Sequence, residues 1–283
     1  MKKILTLCLI GSYLSFLFNN TVFGEDPYLK SNSSKVSKKD IKQKSYYRFK
    51  GKTIKEIEIE IRPIFDPPPN WLYRTANRLK VPTRKSTVKQ ELLFKEGDDF
   101  DPFAFAETER LLRTLPFLRD IQMSVKPINE KEVKVIVSVQ QTWTLIPQVS
   151  LSTEGGRRKV EGGLEESDLL GFGNRLEVLY KEEDNRTSIE TVYDDRRIWG
   201  SNIDLLAAYF DRDDGERTIV SFGRPFRSLI DQESWKVNLD YSDFIGRLFK
   251  NGDERFIYRS KRTDTGIRYT ISRGNPEINT RRY

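Results

Sequence analysis

The residue types that most often carry enzyme chemistry are almost missing from this sequence. Its 283 residues include no histidine, and the single cysteine is Cys8, near the N-terminus. A mature chain without Cys8 has no histidine base, no disulfide and none of the usual zinc ligands. The sequence therefore predicts no catalytic residue, no metal site and no cofactor, and we expect a protein that is not an enzyme.

Three short motifs resemble chemical sites but have simpler interpretations. Residues 211–216 are acidic, like a calcium loop, but they are one residue short of that pattern and lie between strands, so we expect a hairpin turn. Glu165 and Glu166 are neighbours in a strand and point to opposite faces, so they cannot act on one bond as acid and base. No helix pattern follows Gly171 and Gly173, so a turn explains them better than a nucleotide loop.

The charge distribution argues against a nucleic-acid partner. The formal net charge is +7, and it lies within residues 1–50, because acidic and basic residues balance in 51–283. A neutral folded region lacks the basic surface that binding to a phosphate backbone requires. We therefore expect no nucleic acid among the partners.

The first 50 residues predict export. Two lysines precede an apolar run from Ile4 to Phe18, which is too short to span a bilayer and indicates a secretory signal (1–24) cleaved after Gly24. An uncleaved membrane anchor is the alternative. Residues 25–50 are rich in Ser, Lys and Asn and predict a basic flexible tether, with a polybasic segment on a membrane surface as the alternative.

Residues 51–141 have the hydrophobic periodicity of an α+β domain. A short insertion with Trp71 and Tyr73 follows the first strand, and Asp101 before Pro102 is the cap of the second helix. The expected order is strand, helix, helix, strand, strand. The elements are expected at 54–61, 86–94, 102–115, 121–125 and 133–139.

From Trp143 onward the pattern changes to eight or nine short strands separated by Gly, Asp and Asn turns. The clearest strand is Trp235–Ser242, in which Val237 and Leu239 alternate with Lys236 and Asp240. Alternation alone fits either a soluble sandwich or a membrane barrel. Charged residues in mid-strand on the polar face favour a wet barrel lumen or an exposed sheet face over a dry sandwich core.

Two segments resemble known families. Residues 53–141 resemble a polypeptide-transport-associated (POTRA) domain, with Glu-Gly-Asp-Asp-Phe at 96–100 between the helices and Leu-Pro-Phe-Leu at 115–118 before the second strand. Residues 163–174 resemble the opening of the barrel in the BamA/TamA family of outer-membrane assembly factors. The residues that carry this second resemblance are Gly163, Leu164, Asp168, Leu169, Leu170, Gly171 and Gly173.

The resemblance implies an α+β POTRA domain (β-α-α-β-β) at 51–141 and the N-terminal part of an all-β antiparallel outer-membrane barrel at 142–283. Family barrels have sixteen strands and a late Arg-Gly-aromatic motif that this sequence lacks, and residues 279–283 show no alternating strand. The barrel is therefore expected to be incomplete and the chain truncated. The implied location is the outer membrane, with the POTRA domain in the periplasm.

The resemblance also implies how such a protein acts. The second strand of the POTRA domain is expected at the edge of its sheet, where an extended client segment can be added as a further strand; an edge that only meets solvent or a neighbouring domain is the alternative. The implied partners are unfolded outer-membrane proteins, outer-membrane lipids and periplasmic accessory proteins. The other functions considered are a passive pore or secretion channel and a soluble periplasmic binding module. The candidate client-binding residues are Asp120, Ile121, Gln122, Met123, Ser124, Val125 and Lys126.

Overall fold

The described residues form a small sheet with helices and a second, much larger sheet. The predicted signal peptide and residues 25–45 of the predicted tether lie outside the described part of the chain. No helix in the described part is long and apolar enough to cross a membrane. The computed structural model describes residues 46–154, 157–183, 186–250, 253–276 and 279–283.

Residues 46–141 form an α+β unit around the small sheet. The central strand β3 pairs with β1 in parallel and with β2 antiparallel, so the strand order is β1-β3-β2. A single 3-10 turn, Tyr47–Phe49, precedes the first strand. The elements are β1 (Thr53–Arg62), α1 (Trp71–Leu79), α2 (Lys85–Gln90), α3 (Pro102–Leu112), β2 (Leu118–Pro127) and β3 (Glu132–Gln141).

The core of the α+β unit follows directly from the alternation in the sequence. The four valines of β3 at 133, 135, 137 and 139 are fully buried, and they face the apolar side of α3. The cap predicted for the second helix is confirmed, because the Asp101 side chain accepts a hydrogen bond from the N–H of Phe103 and proline follows it. The cap and the buried stripe together fix α3 against the sheet.

Three details of this unit differ from the sequence-based expectation. The helix expected at 86–94 ends at Gln90, and Leu93 donates its N–H to the Thr108 hydroxyl instead of continuing the helix. Residues 71–79 form α1 rather than an irregular insertion, because the Asn70 side chain caps the first turn. Residues 46–50 do not behave as a tether: the Phe49 side chain is buried in the core.

In the part of the chain that the structure describes, the large sheet contains nine antiparallel strands in chain order, from β4 at one edge to β12 at the other. The turn at 211–216 is a hairpin, as predicted. The expectation of no strand near the C-terminus is wrong, because Asn279–Arg282 pairs with the end of β11. Within the described residues the two edge strands do not pair with each other, so the sheet is open. The strands are β4 (Leu145–Glu154), β5 (Arg157–Glu166), β6 (Arg175–Glu183), β7 (Arg186–Asp195), β8 (Asp204–Arg212), β9 (Gly215–Arg224), β10 (Glu233–Lys250), β11 (Asp253–Asn275) and β12 (Asn279–Arg282).

Strand register separates the large sheet into an apolar face and a polar face. The exposed fraction is 80% for Val149 and 83% for Ile267 on the apolar face, whereas Ile219 on the polar face is only 1% exposed. The more enclosed face is thus the polar one, which indicates that the sheet curves around it. On β4 to β11 in order, the apolar face includes Val149, Leu164, Val178, Ile189, Tyr209, Val220, Leu239 and Ile267. The polar face includes Gln148, Glu165, Glu177, Glu190, Ala208, Arg217, Asp240 and Arg268.

Candidate functional site

The seven candidate client-binding residues lie on β2, and β2 is an edge strand of the small sheet, as expected. Their side chains alternate between the two faces. Ile121, Met123 and Val125 are buried in the core of the α+β unit. The intervening side chains at 120, 122, 124 and 126 are exposed, so only these and the backbone are accessible to a partner.

The β2 edge is partly occupied by the protein's own side chains. The Tyr46 hydroxyl donates a hydrogen bond of 3.2 Å to the carbonyl oxygen of Met123, and Arg113 Nη2 donates one of 3.0 Å to that of Ile121. The strand also bulges at Asp120, where φ is +49°. A client strand therefore meets an edge where two carbonyl oxygens already have donors.

A second candidate edge is β4, the first strand of the large sheet. β4 pairs with β5 on one side, and within the described residues it has no strand partner on the other. Its Val149 and Leu151 side chains, on the apolar face, are both strongly exposed. An unpaired strand of ten residues offers a row of backbone donors and acceptors to another strand.

The barrel-opening residues fall into two groups, and the first group lies on β5. Gly163 faces β6 so closely that a Cβ atom there would lie 2.4 Å from the carbonyl oxygen of Val178. Only glycine permits this approach, which explains the residue type at this position. Leu164 lies on the opposite, apolar face of the sheet and is more than half exposed.

The second group lies in the turn between β5 and β6 and contacts the α+β unit. The Asp168 carboxylate is fully buried and accepts hydrogen bonds from Lys80 Nζ at 2.9 Å and Thr83 Oγ1 at 2.6 Å. Its other oxygen accepts the N–H of Gly173 at 2.9 Å. Lys80 also donates to the Thr144 hydroxyl, directly before β4. Asp168 therefore joins the two sheets of the protein.

Leu169, Leu170 and Gly171 form a single 3-10 turn that docks on residues 80–87, which we call the strap. The carbonyl oxygen of Gly171 accepts hydrogen bonds from the Thr87 hydroxyl and the Arg84 N–H. Gly171 has a φ of +79°, and a Cβ atom there would lie 2.2 Å from a backbone oxygen of the strap. The glycine is thus required both by its backbone conformation and by the close approach of the strap.

Two further turns of the large sheet contact the α+β unit, and sequence reasoning missed their residues. In the β7–β8 turn, Arg197 donates two hydrogen bonds of 3.0 and 2.9 Å to the buried Glu91 carboxylate. In the β9–β10 turn, the N–H of Leu229 donates to Glu107, which is also paired with Arg110. The available signal was an acidic residue on the apolar side of a helix, because a buried carboxylate requires a partner.

Burial and charge act in opposite directions at this contact. Burial acts to raise the pKa of Glu91, but the hydrogen bonds and charge of Arg197 outweigh it, so the pKa lies below its usual value of 4.5. Burial lowers the pKa of Arg227, in the β9–β10 turn, to about 10, and the charge of Arg197 adds to this effect. Glu91 therefore remains ionised at neutral pH and holds the turn through charge-assisted hydrogen bonds.

Together these contacts form the junction, defined as the strap, Glu91 and Glu107 on one side and the turns at 167–174, 196–203 and 225–232 on the other. The junction places the α+β unit at one end of the large sheet, where three successive turns meet it. The candidate client-binding residues and the barrel-opening residues have different surroundings. The former lie on β2, at the edge of the small sheet, and the latter lie on β5 and in the β5–β6 turn. The chemistry that this arrangement offers is backbone hydrogen bonding at strand edges and apolar contact at the sheet face.

No protein-family profile and no curated protein matches this sequence. The structure is similar to that of BamA from Haemophilus ducreyi lacking POTRA domains 1–3, with 15% identity, a TM-score of 0.46, and coverage of 79% of this chain and 44% of that one. It is also similar to CdiB from Acinetobacter baumannii (13% identity, TM-score 0.47, coverage 79% and 44%). For CdiB from Escherichia coli the values are 13%, 0.39, and 78% and 42%. The chain spans less than half the length of each of these proteins. Because all three TM-scores are below 0.5, the fold of this chain is described from its own strand pairing.

Proposed function

We propose that this chain is a non-enzymatic outer-membrane protein whose large sheet lies in the bilayer and whose α+β unit, a POTRA domain, lies in the periplasm. The chain captures unfolded outer-membrane strands by β-augmentation at its strand edges and guides their insertion. One observation carries the proposal: over the part of the large sheet nearer the α+β unit, the exposed face is apolar, while the enclosed face is charged. The ion pairs of Asp243 with Arg259 and Lys261 lie on the same exposed face beyond this apolar part. A water-soluble sheet buries its apolar face, so this inversion favours lipid as the surrounding medium.

The dimensions of the large sheet support a membrane location. Strands β4 to β9 are nine or ten residues long, and a tilted spanning strand needs about 9–11 residues. Tyrosines lie near both ends of the apolar face with their hydroxyl groups bound to carboxylates. At the far end Tyr209 donates to Glu216, and at the end near the α+β unit Tyr269 donates to Glu233. Such tyrosines resemble the aromatic girdles at membrane interfaces.

The polar face supports contact with water on the inner side of the sheet. Its charges are paired across neighbouring strands: Lys181 with Glu190 at 2.7 Å, and Arg217 with Asp240 at 2.5 Å. Paired charges on the enclosed side avoid the large penalty of an isolated charge in hydrocarbon. This face therefore suits the wet interior of a barrel.

The strand edges support client capture. An unpaired edge in hydrocarbon leaves N–H and C=O groups unsatisfied, and each such group costs several kcal/mol. A client strand that pairs with β4 removes this penalty while it enters the membrane. Edge pairing through the backbone is tolerant of client sequence, as an assembly factor requires.

The membrane location is tested with spin labels at two neighbouring positions of β10 in the full chain in vesicles. Val237 lies on the apolar face and Asn238 on the polar face. The label at 237 should be accessible to oxygen dissolved in lipid, and the label at 238 to a water-soluble paramagnet. Equal accessibilities at the two positions would contradict the proposal.

Client capture is tested with a photo-crosslinking side chain at Val149 on β4 and, as a matched control, at Tyr209 on the central strand β8. Both positions are exposed on the apolar face, but only β4 is an edge. A ten-residue peptide with alternating apolar and polar residues should crosslink at 149 and not at 209. The same peptide with alternate N–H groups methylated should lose the crosslink, because it cannot complete the ladder. Crosslinking at both positions, or resistance to methylation, would refute capture through the edge.

A passive channel is a second candidate, favoured by the paired charges on the polar face. It predicts stable conductance steps in a planar bilayer without any client. The peptide crosslink at Val149 separates the two functions, because a passive channel does not require a client strand bound at β4.

A further inference from the structure

Helix α1 is amphipathic, yet none of its residues is buried. Its contacts with the α+β unit come from one side, where Asn77 exchanges two hydrogen bonds with the backbone of Phe65 and the Tyr73 ring packs on the Phe65 ring. At 100° per residue, Trp71 and Leu79 fall on the other side. Leu79 is 73% exposed and the Trp71 side chain nearly as much, so α1 presents an apolar stripe outwards.

The C-terminal end of α1 lies at the rim of the large sheet. β1 runs parallel to β3, whose last residue, Gln141, lies four residues before β4, so the chain after β1 emerges at the end of the unit that faces the large sheet. Lys80, which directly follows α1, bonds to Thr144 and Asp168 at the rim of that sheet. Helix α1 therefore ends at the level where the apolar face of the large sheet starts.

Two turns of the large sheet at the same rim also expose apolar side chains, and both do so from a strained backbone. Leu170 in the β5–β6 turn has a φ of +54°, and Trp199 in the β7–β8 turn has a φ of +52°. Trp199 is 98% exposed and Leu170 more than half exposed. Left-handed backbone is unfavourable for such residues, and strain of this kind persists where it serves a function.

We propose that α1, Leu170 and Trp199 form an interfacial anchor that sits in the headgroup layer of an anionic bilayer, on the side where the α+β unit lies. The inference rests on the proposed membrane location of the large sheet, and it adds a second membrane contact made by the α+β unit itself. The anchor fixes the distance between the β2 edge and the lipid surface.

Charge identifies lipid as the occupant of this surface. Arg74 and Arg78 lie next to the apolar stripe on the exposed side of α1, and an apolar stripe flanked by basic residues is the pattern of a helix that lies in a membrane interface. Tryptophan and arginine suit the boundary between hydrocarbon and phosphate groups. The exposed side chains are spread over three separate elements along one rim, which matches a planar surface better than a groove for a peptide.

The anchor is tested in the full chain with single cysteines labelled with an environment-sensitive fluorophore, after Cys8→Ser removes the only native cysteine. The labels are placed by Leu79→Cys and Trp199→Cys in the anchor and by Val237→Cys on the apolar face of the large sheet. The control is Glu130→Cys in the β2–β3 turn, which lies at the opposite end of β3, about 30 Å from Gln141. Vesicles contain phosphatidylethanolamine with phosphatidylglycerol, or phosphatidylcholine alone.

In anionic vesicles the labels at 79, 199 and 237 should shift to shorter emission wavelengths and resist quenching by aqueous iodide, while the label at 130 stays water-exposed. Arg74→Gln with Arg78→Gln should reduce partitioning of the label at 79 roughly 25-fold, at about fivefold per basic residue. Lys131→Gln, which removes a charge in the β2–β3 turn, should have no effect.

The outcomes separate the anchor from the proposed function. If the label at 237 is protected but those at 79 and 199 stay water-exposed, the sheet is in the membrane and the anchor is wrong. If the label at 237 is also water-exposed, the membrane proposal itself fails. A shift at 79 that appears without vesicles and grows with protein concentration would assign the surface to a second copy of the chain and overturn the lipid assignment.

Discussion

Replacing Asp168 with alanine should loosen the junction more than any exposed substitution. The carboxylate lies at the centre of a buried cluster, with Lys80, Thr83 and the N–H of Gly173 as its donors. The exposed fraction of the side chain is 0% for Asp168 and 6% for Lys80. Removal of the carboxylate leaves all three donors in place without their acceptor.

The size of the effect follows from the burial of Lys80. Without Asp168, the ammonium group of Lys80 keeps only the hydroxyl of Thr144 as a partner among the residues that the structure describes. Breaking a buried ion pair by removal of one member costs about 3–5 kcal/mol, because the remaining charge is desolvated without compensation. An exposed pair is worth about 0–1 kcal/mol, so the two cases differ enough to be distinguished.

The assay is hydrogen exchange of backbone amides in the full chain, since the junction opens locally. The N–H of Arg84, which donates to the carbonyl oxygen of Gly171 across the junction, reports on it. A loss of about 3–5 kcal/mol raises its exchange rate by about two to three and a half orders of magnitude. The matched control is Lys55→Met, which breaks a pair of similar length, 3.0 Å to Glu132, with side chains 57% and 28% exposed.

A double variant provides the decisive comparison. Lys80→Met with Asp168→Ala removes both charges, so it should lose less protection than Asp168→Ala alone. Protection in Asp168→Ala equal to that in Lys55→Met would refute the reasoning that burial sets the strength of this contact.

Three further variants test the core, the strap and the charge of the junction. Leu112→Ala removes a fully buried side chain and should destabilise a fragment of residues 46–141 by about 2–5 kcal/mol in urea unfolding. Gly171→Ala introduces a Cβ atom 2.2 Å from a strap oxygen at a φ of +79° and should weaken docking by about 2–4 kcal/mol in the exchange assay, whereas Gly162→Ala, with no atom within 4 Å, should have little effect. Because the pKa of Glu91 is lowered on folding, its contribution is complete above its usual pKa of 4.5 and is lost as the pH falls through the folded value. The difference in thermal stability between the wild type and Glu91→Gln should therefore shrink below about pH 4.5, and a constant difference would contradict the assignment.

The sequence determined the elements whose signals are local. Alternation of valine with polar residues predicted the buried face of β3, and an aspartate before proline predicted the start of α3, because each pattern acts within a few residues. The same alternation placed Val237 and Leu239 opposite Lys236 and Asp240 on β10. These features depend only on the period of side chains along a strand or helix.

Tertiary contacts decided the features that depend on residues far apart in the chain. Phe49 was predicted to lie in the tether, but its side chain packs in a core built from residues up to 90 positions later, and nothing in its own segment indicates this. Helix α1 was missed because its apolar stripe faces outwards, and an exposed stripe looks like an irregular insertion when a buried one is expected.

The sequence therefore identified the β5–β6 turn and the β2 edge as functional candidates, but it did not reveal what holds them. Asp168 is defined by Lys80, which is 88 residues away, and Glu91 by Arg197, which is 106 residues away. The sequence alone does not specify which basic residue pairs with an acidic residue, because the acidic and the basic side chain could each face water instead. Only the packing of the strap against the turns brings the opposite charges together and removes the solvent between them, and this desolvation makes the junction specific.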